Sequence, residues 1–302
     1  MVEIQENEMP FVSVIVVTLN RRKHLEKCLN SLLNLDYPTS KFEVIVVDGG
    51  SNDGTIEMVC RSFPKVNLVV EKRKGIVYGR NTGWKHAKGA IVAYTDDDCI
   101  VDRFWLRSLV SGFTSMEIKG VGGPLLYLNS GLNPQRFHGT PVGPFHLGDR
   151  KRLLKSDENL ITANLAVRSE VFEKIRFLET LAYNDSEDAE FCRSLIEAGY
   201  KLLYVPDAKV YHNIDPKRLS ILYLIKRAFF SGISFYIMER KRNSKLLLIP
   251  RFLRYFLGGL VYFFRKRRMK DFYWLVKCLI IFLSSVFLIA LRRETRKIQL
   301  MR

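Results

Sequence analysis

Gly89-Ala90-Ile91-Val92-Ala93-Tyr94-Thr95-Asp96-Asp97-Asp98-Cys99-Ile100-Val101-Asp102 carries more information about this chain than any other run. Residues 90–94 have the length and β-branched content of a buried strand. The run then breaks into three consecutive carboxylates. Adjacent negative charges repel, so a fold keeps three of them at a strand end only where something cationic neutralises them. Oxygen donors of this kind suit Mg2+ or Mn2+, and Mg2+ is typically held by one or two carboxylates together with substrate phosphates. The competing reading is an acidic turn, with Asp102 capping a helix over residues 103–113.

On the N-terminal side, the same pattern repeats. Residues 11–18 and 42–48 are β-branched strands, and residues 67–71 form a third. The first stops at Thr18-Leu19-Asn20-Arg21, and the second at Asp48, before the tight turn Gly49-Gly50-Ser51-Asn52-Asp53-Gly54. Between them, Leu25, Cys28, Leu29, Leu32 and Leu33 recur at helical spacing, and residues 55–63 are again helical. A glycine-punctuated segment, Gly79-Arg80-Asn81-Thr82-Gly83, leads through a short helix to Gly89. Alternation of this kind argues for an α/β fold with a mostly parallel, Rossmann-like sheet flanked by helices. Ligands of such sheets bind beyond the carboxyl ends of the strands, where Asn20, Asp48, Asp53 and Asp96 to Asp98 converge.

Toward the C-terminus, residues 120–160 are rich in Gly and Pro and read only as loops and edge strands. Residues 161–168 read as a strand feeding a short helix over 169–175. Tyr183-Asn184-Asp185-Ser186-Glu187-Asp188 opens a helix that stops at Gly199, with Asp185 as the expected N-cap. A strand over 201–205 and the segment Val210-Tyr211-His212 follow.

Charge divides the chain into residues 1–214 and 215–302. The first part holds 27 Lys and Arg against 27 Asp and Glu, the second 21 against 4, so the tail carries the whole net charge of +17. A neutral body with a basic, apolar tail points to an anionic membrane surface and away from nucleic acid. In the tail, 217–239 is helical by spacing. Residues 246–264 are apolar but interrupted by Pro250, Arg251 and Arg254, and 273–291 has one internal charge, Lys277. The first apolar stretch is expected to lie in the headgroup plane, and the second to span the bilayer or lie flat. The five cysteines are scattered and odd in number, which fits reduced thiols in a cytosolic compartment. The acidic start has no basic or apolar leader region, so no secretory signal is expected.

Over about residues 10–214 the chain resembles the family 2 inverting glycosyltransferases of the GT-A fold. The likeness rests on Val12-Ser13-Val14-Ile15-Val16-Val17-Thr18-Leu19-Asn20-Arg21, on Val46-Val47-Asp48-Gly49-Gly50-Ser51-Asn52-Asp53-Gly54-Thr55, and on Gly79-Arg80-Asn81-Thr82-Gly83 with Ala87-Lys88-Gly89. It extends to Asp96-Asp97-Asp98, to Glu187-Asp188, and to Gly199-Tyr200 with His212. Gly49 stands where many members carry a second Asp, which leaves Asp48 as the single carboxylate there.

The resemblance implies a hexosyltransferase-type enzyme that moves a sugar from a nucleotide-diphosphate sugar to an acceptor hydroxyl with inversion, using a divalent cation (Mg2+ or Mn2+). It implies donor binding by Thr18, Asn20, Asp48, Asp53, Arg80, Asp96 and Asp97. Asp96, Asp98 and His212 would hold the metal, Asp188 would be the general base, and Glu187 would position the acceptor. Plainer roles stand beside these. Asp48 and Asp53 could only shape turns, Arg80 could be solvated, His212 could pack under the sheet, and Asp188 could serve the helix dipole. The expected acceptor is a glycan or lipid-linked glycan, and the expected location is a membrane with the catalytic part facing the cytoplasm. The other functional class is a membrane-bound nucleotide-sugar-binding protein without turnover.

Overall fold

The computed structural model describes residues 9–128, 144–181, 186–215, 218, 220–242, 257, 279 and 283. The chain divides into two compact units. One comprises Met1–Leu132, Pro144–Tyr183 and Glu187–Ile214. The other comprises Asn133–Gly143, Asn184–Ser186 and Asp215–Arg302.

The first unit is built on strands β1 (Val12–Thr18), β2 (Phe42–Asp48), β3 (Asn67–Val70), β4 (Ile91–Asp96), β5 (Cys99–Val101), β6 (Ile118–Gly122), β7 (Leu125–Tyr127), β8 (Arg152–Leu153), β9 (Leu165–Arg168), β10 (Lys201–Tyr204) and β11 (Val210–His212). Its helices are α1 (Arg22–Leu33), α2 (Thr55–Ser62), α3 (Ile76–His86), α4 (Trp105–Val110) and α5 (Glu187–Glu197). Eight strands form one sheet in the order β3-β2-β1-β4-β9-β6-β10-β8. β1, β2, β3 and β4 are mutually parallel, and β10 runs parallel to β6. β9 is antiparallel to both of its neighbours, and β8 is antiparallel to β10. A three-stranded sheet, β5-β11-β7, lies apart from it.

Strand side chains alternate between faces, and that alternation splits the core in two. From β1, Val12, Val14 and Val16 point into a cluster with Leu25, Cys28, Leu29 and Leu32 of α1, Met58 and Val59 of α2, and Trp105, Leu106 and Leu109 of α4. Ile15 faces the other way, into a cluster with Val77 of α3 and Phe191, Cys192 and Leu195 of α5. The sheet is therefore covered on both faces, as a mostly parallel sheet requires.

Three elements differ from expectation. The segment 161–168 is a strand only from Leu165; Thr162–Asn164 is a 3-10 turn. There the Asn164 side chain holds three buried groups. It accepts from the Trp105 indole at 2.8 Å and donates to the carbonyls of Pro124 and Ala208 at 2.8 and 2.7 Å. The helix expected over 169–175 is a five-residue 3-10 helix, Ser169–Glu173. The helix after Asp102 begins at Trp105, two residues later than expected. Asp102 is not its cap: Phe104 takes the N-cap position with no side-chain cap hydrogen bond, and Asp102 accepts only the Phe104 N–H, at 2.9 Å, ahead of the helix. Asp185, the expected cap of α5, lies outside the described residues.

In the second unit, α6 spans Ile221–Arg242. The stretches 246–264 and 273–291, expected at the membrane, lie outside the described residues apart from 257, 279 and 283. Among the described residues no helix is long and apolar enough to cross a membrane. The described cysteines Cys28, Cys60, Cys99 and Cys192 are free thiols.

Candidate active site

Strand register gathers the site. Val17 of β1 lies opposite Asp96 of β4, and Thr18 lies opposite Asp48 of β2. Three strand ends thus deliver Thr18, Asp48 and Asp96 to one edge of the sheet.

The three adjacent aspartates have separate environments. Asp97 and Asp98 are each only 5% exposed. One guanidinium nitrogen of Arg21 donates to both, at 2.8 Å to Asp97 and 2.7 Å to Asp98. Asp97 also accepts from the Thr18 hydroxyl at 2.7 Å. The other Asp98 oxygen lies 3.2 Å from His212 Nε2. Asp96 sits further out, with 35% of its side chain exposed and an oxygen 3.6 Å from Arg80 Nη2.

Electrostatics follow from these contacts. Burial pushes Asp97 up to about 6, against the pull of Arg21. Burial also works to raise Asp98, but the hydrogen bond and charge of His212, then Arg21, hold it well below the usual carboxylate range. Asp96 is raised, by burial first and by the charge of Asp98, with Arg80 opposing. Burial works to lower the Arg21 pKa, and the charges of Asp97 and Asp98 override it. Part of the cationic neutralisation that three carboxylates demand is therefore supplied by the chain itself, through Arg21 and Arg80.

The neighbouring loop is organised by Asp48, Asn20 and Asp53. One oxygen of the fully buried Asp48 accepts from the N–H groups of Gly50 and Ser51 at 2.8 and 2.6 Å. Its other oxygen is buried with no partner. Asn20 takes a left-handed conformation (φ 53°) and joins the two loops: its N–H donates to Ser51 Oγ and its side-chain oxygen accepts from Asn52 N–H, both at 2.8 Å. Asp53 accepts from the backbone of Arg22 at 3.1 Å and from the N–H and hydroxyl of Thr55. The Thr55 hydroxyl is the first of the contacts that lower its pKa.

On the other side of Asp96 stands the start of α5. Arg80, expected at a diphosphate, is buried with 4% of its side chain exposed, and both arms face carboxylates. Nη1 donates to Glu187 at 2.7 Å, and Nη2 approaches Asp96. Beside Glu187, Asp188 accepts the Ala189 N–H at 2.8 Å. Burial, then the charge of Glu187, push Asp188 up to about 7, with Arg80 opposing. A carboxyl poised there can take a proton at neutral pH.

The Glycosyl transferase family 2 model matches residues 13–176, more than half of the chain. The chain belongs to that family. Glycosyltransferase AglE of Haloferax volcanii is 32% identical to this glycosyltransferase over 215 residues, 69% of this chain and 68% of the relative. A Methanococcus voltae relative is 23% identical over 256 residues, 79% of this chain and 77% of its own. It is the dolichyl N-acetyl-alpha-D-glucosaminyl phosphate 3-beta-D-2,3-diacetamido-2,3-dideoxy-beta-D-glucuronosyltransferase. Among solved structures, the mannosyltransferase PcManGT from Pyrobaculum calidifontis, in complex with GDP-Man and Mn2+, superposes with a TM-score of 0.63 at 20% identity. The match covers 93% of this chain and 87% of that one. The transferase therefore has a GT-A-like α/β fold around a mostly parallel sheet.

The geometry brings Thr18, Asp96, Asp97, Asp98, Arg80, Glu187 and Asp188 into one linked edge, with His212 joined through Asp98. Asp48, Asn20 and Asp53 form an adjacent cluster of their own. Thr18 and Asp97, expected to meet the donor, hydrogen-bond each other. Among the described residues no three His, Cys, Asp or Glu side chains gather as a preformed metal site. Arg21 is the residue that sequence reading missed. Its signal was a cation at a strand end in a chain that needed one for its three carboxylates.

Proposed function

We propose that this glycosyltransferase moves a hexosyl group from a nucleotide-diphosphate sugar to an acceptor hydroxyl, with inversion and with the help of Mg2+ or Mn2+. The observation that carries the reading is the meeting, at one sheet edge, of the Asp96 to Asp98 carboxylates with Asp188, whose pKa of about 7 suits a base.

The donor set fits a hard cation. Asp98 and His212 offer an oxygen and an imidazole nitrogen 3.2 Å apart. Asp98, His212 and the more exposed Asp96 would hold the ion, with substrate phosphate completing its shell. When bound, the cation supplies Lewis-acid stabilisation of the charge on the departing diphosphate.

The chain's own groups do the rest. The unpaired buried oxygen of Asp48 is an acceptor that no protein donor satisfies, and a donor N–H or ribose hydroxyl is its expected partner. Asp188 takes the acceptor hydroxyl's proton as that oxygen bonds to the anomeric carbon. The bond from that carbon to the diphosphate breaks on the opposite face, which inverts the configuration.

For the acceptor we favour a lipid-linked glycan, presented at a membrane with the catalytic unit facing the cytoplasm. Support comes from the basic, apolar character of residues 215–302 and from the dolichyl-phosphate substrate named for the M. voltae relative. A screen of UDP-, GDP- and dTDP-sugars against polyprenyl-phosphate-linked sugar acceptors, with Mn2+ and with EDTA, tests the reading. Transfer in Mn2+ that EDTA abolishes is expected. Nucleotide-sugar binding without transfer, or full transfer in EDTA, would overturn it.

A further inference from the structure

The segment Gly79-Arg80-Asn81-Thr82-Gly83 lies within α3 and works on two sides. Gly79 and Gly83, four residues apart, share one helix face. That face lies so close to β1 that a Cβ on Gly79 would come within 2.5 Å of Val17, and one on Gly83 within 2.5 Å of Ile15. Arg80 and Asn81 reach the acceptor side. The Asn81 side chain clasps the backbone of Phe177, donating to its carbonyl at 2.9 Å and accepting its N–H at 3.2 Å. The Phe177 ring stacks on Phe191 of α5, with ring centres 4.3 Å apart. Arg80 lies over the same Phe177 ring, at 5.5 Å. Its fork then meets Glu187 at the start of α5 and Asp96 at the end of β4.

Each arm of this buried guanidinium already faces a carboxylate, so a phosphate could reach it only by displacing one of them. We infer that Arg80 is a positioning residue for the acceptor half of the reaction: it fixes the first turn of α5, and with it Asp188, against the carboxyl end of β4. The inference rests on reading Asp188 as the base. A planar fork holds two carboxylates from different elements at once, which the point charge of a lysine does not. Arg80 also neutralises Glu187, whose charge would otherwise sit unopposed next to Asp188.

The test compares full-length wild type with Arg80→Lys, Glu187→Gln and Asp188→Asn, in Mn2+. Binding of UDP, GDP and dTDP is measured by calorimetry. kcat and both KM values are measured with whichever nucleotide sugar supports turnover. Displacement of the base by about 1 Å costs on the order of 10²-fold. Arg80→Lys is therefore expected to lose roughly 10²-fold in kcat while nucleoside diphosphate affinity stays within about threefold of wild type. Glu187→Gln keeps the shape of the contact and serves if Arg80→Lys does not fold; it is expected to lower kcat with the same unchanged affinity. Weaker nucleotide binding with kcat intact would return Arg80 to the diphosphate and overturn the inference. Unchanged kcat in whichever of these two variants folds would overturn it as well. An active Asp188→Asn would remove the base itself, whereas an inactive Asp188→Asn beside fully active Arg80→Lys and Glu187→Gln would remove only the inference.

Discussion

Asp188 offers the sharpest test at the scale of single residues. Its carboxyl is raised to about 7, against about 3.9 for an ordinary Asp. A base acts only when deprotonated, so kcat/KM should climb about tenfold per pH unit up to about 7 and then level off. Asp188→Asn should lower transfer by about 10²- to 10⁴-fold and flatten that slope. A pH-rate profile measures both. The same raised pKa carries a stability cost with the opposite slope. The neutral form is favoured in the fold, so this group's contribution is full below about 4 and is lost as pH rises through about 7.

For the metal-side acids, Asp98→Asn is the informative variant. Asp98 is buried between Arg21 and His212, so alanine would leave both without that partner, while asparagine keeps the shape and one of the two acceptor oxygens. Asp98→Asn should stay folded, with a cooperative circular dichroism melt shifted to lower temperature by the lost buried charge pair, and lose Mn2+-dependent transfer. The acids themselves were legible in the sequence because each run is contiguous. Their partners were not: Arg21 lies 76 residues from Asp97, and Arg80 lies 107 residues from Glu187. Pairings between such distant segments are set by sheet order, which no local pattern states.

At the scale of elements, the strands and helices of residues 12–96 follow the sequence closely, because period-2 and period-3.6 apolar patterns are dense there. Between 120 and 160 the reading of loops and edge strands fits β7 and β8, which lie at sheet edges, but it missed the inner strand β6 for a physical reason. β6 is built on Gly120 and Gly122 and is followed by Gly123, where a Cβ would lie 2.1 Å from the Ala208 carbonyl oxygen. Gly122 and Gly123 are glycine because backbones pass too close for side chains, and at Gly120 the Leu202 side chain fills the place of a Cβ, so the hydrophobic alternation that marks a strand is missing. Close packing also makes α3 sensitive. Gly83→Ala gains at most about 1 kcal/mol in helix propensity. It must also place a methyl 2.5 Å from Ile15, and overpacking of a tight core costs about 1–3 kcal/mol. A net loss of about 1–2 kcal/mol is expected in urea denaturation. Asn164→Ala removes three buried hydrogen bonds joining α4 to the segments before β7 and β11. Its expected cost is larger, about 3 kcal/mol or more.

Across the whole molecule, charge changes where the two compact units part, between Ile214 and Asp215. Residues 1–214 are neutral, and residues 215–302 carry the net +17. Each basic residue near an anionic leaflet contributes about 1 kcal/mol, and apolar burial adds to it without being screened by salt. The full-length chain should therefore sediment with phosphatidylserine vesicles and resist a high-salt wash, whereas a chain ending at Ile214 should remain in the supernatant. Release by salt alone would mean that the apolar stretches do not enter the membrane.

A cation-assisted departure and a proton taken by Asp188 are joined across the two sides of the sheet edge. Proton NMR of the glycosylated product tests this link most directly, with wild type and Asp188→Asn run in Mn2+ on the same nucleotide sugar. Wild type is expected to give a product of anomeric configuration opposite to the donor, and Asp188→Asn to give almost none. A product that keeps the donor's configuration, or normal transfer by Asp188→Asn, would contradict it.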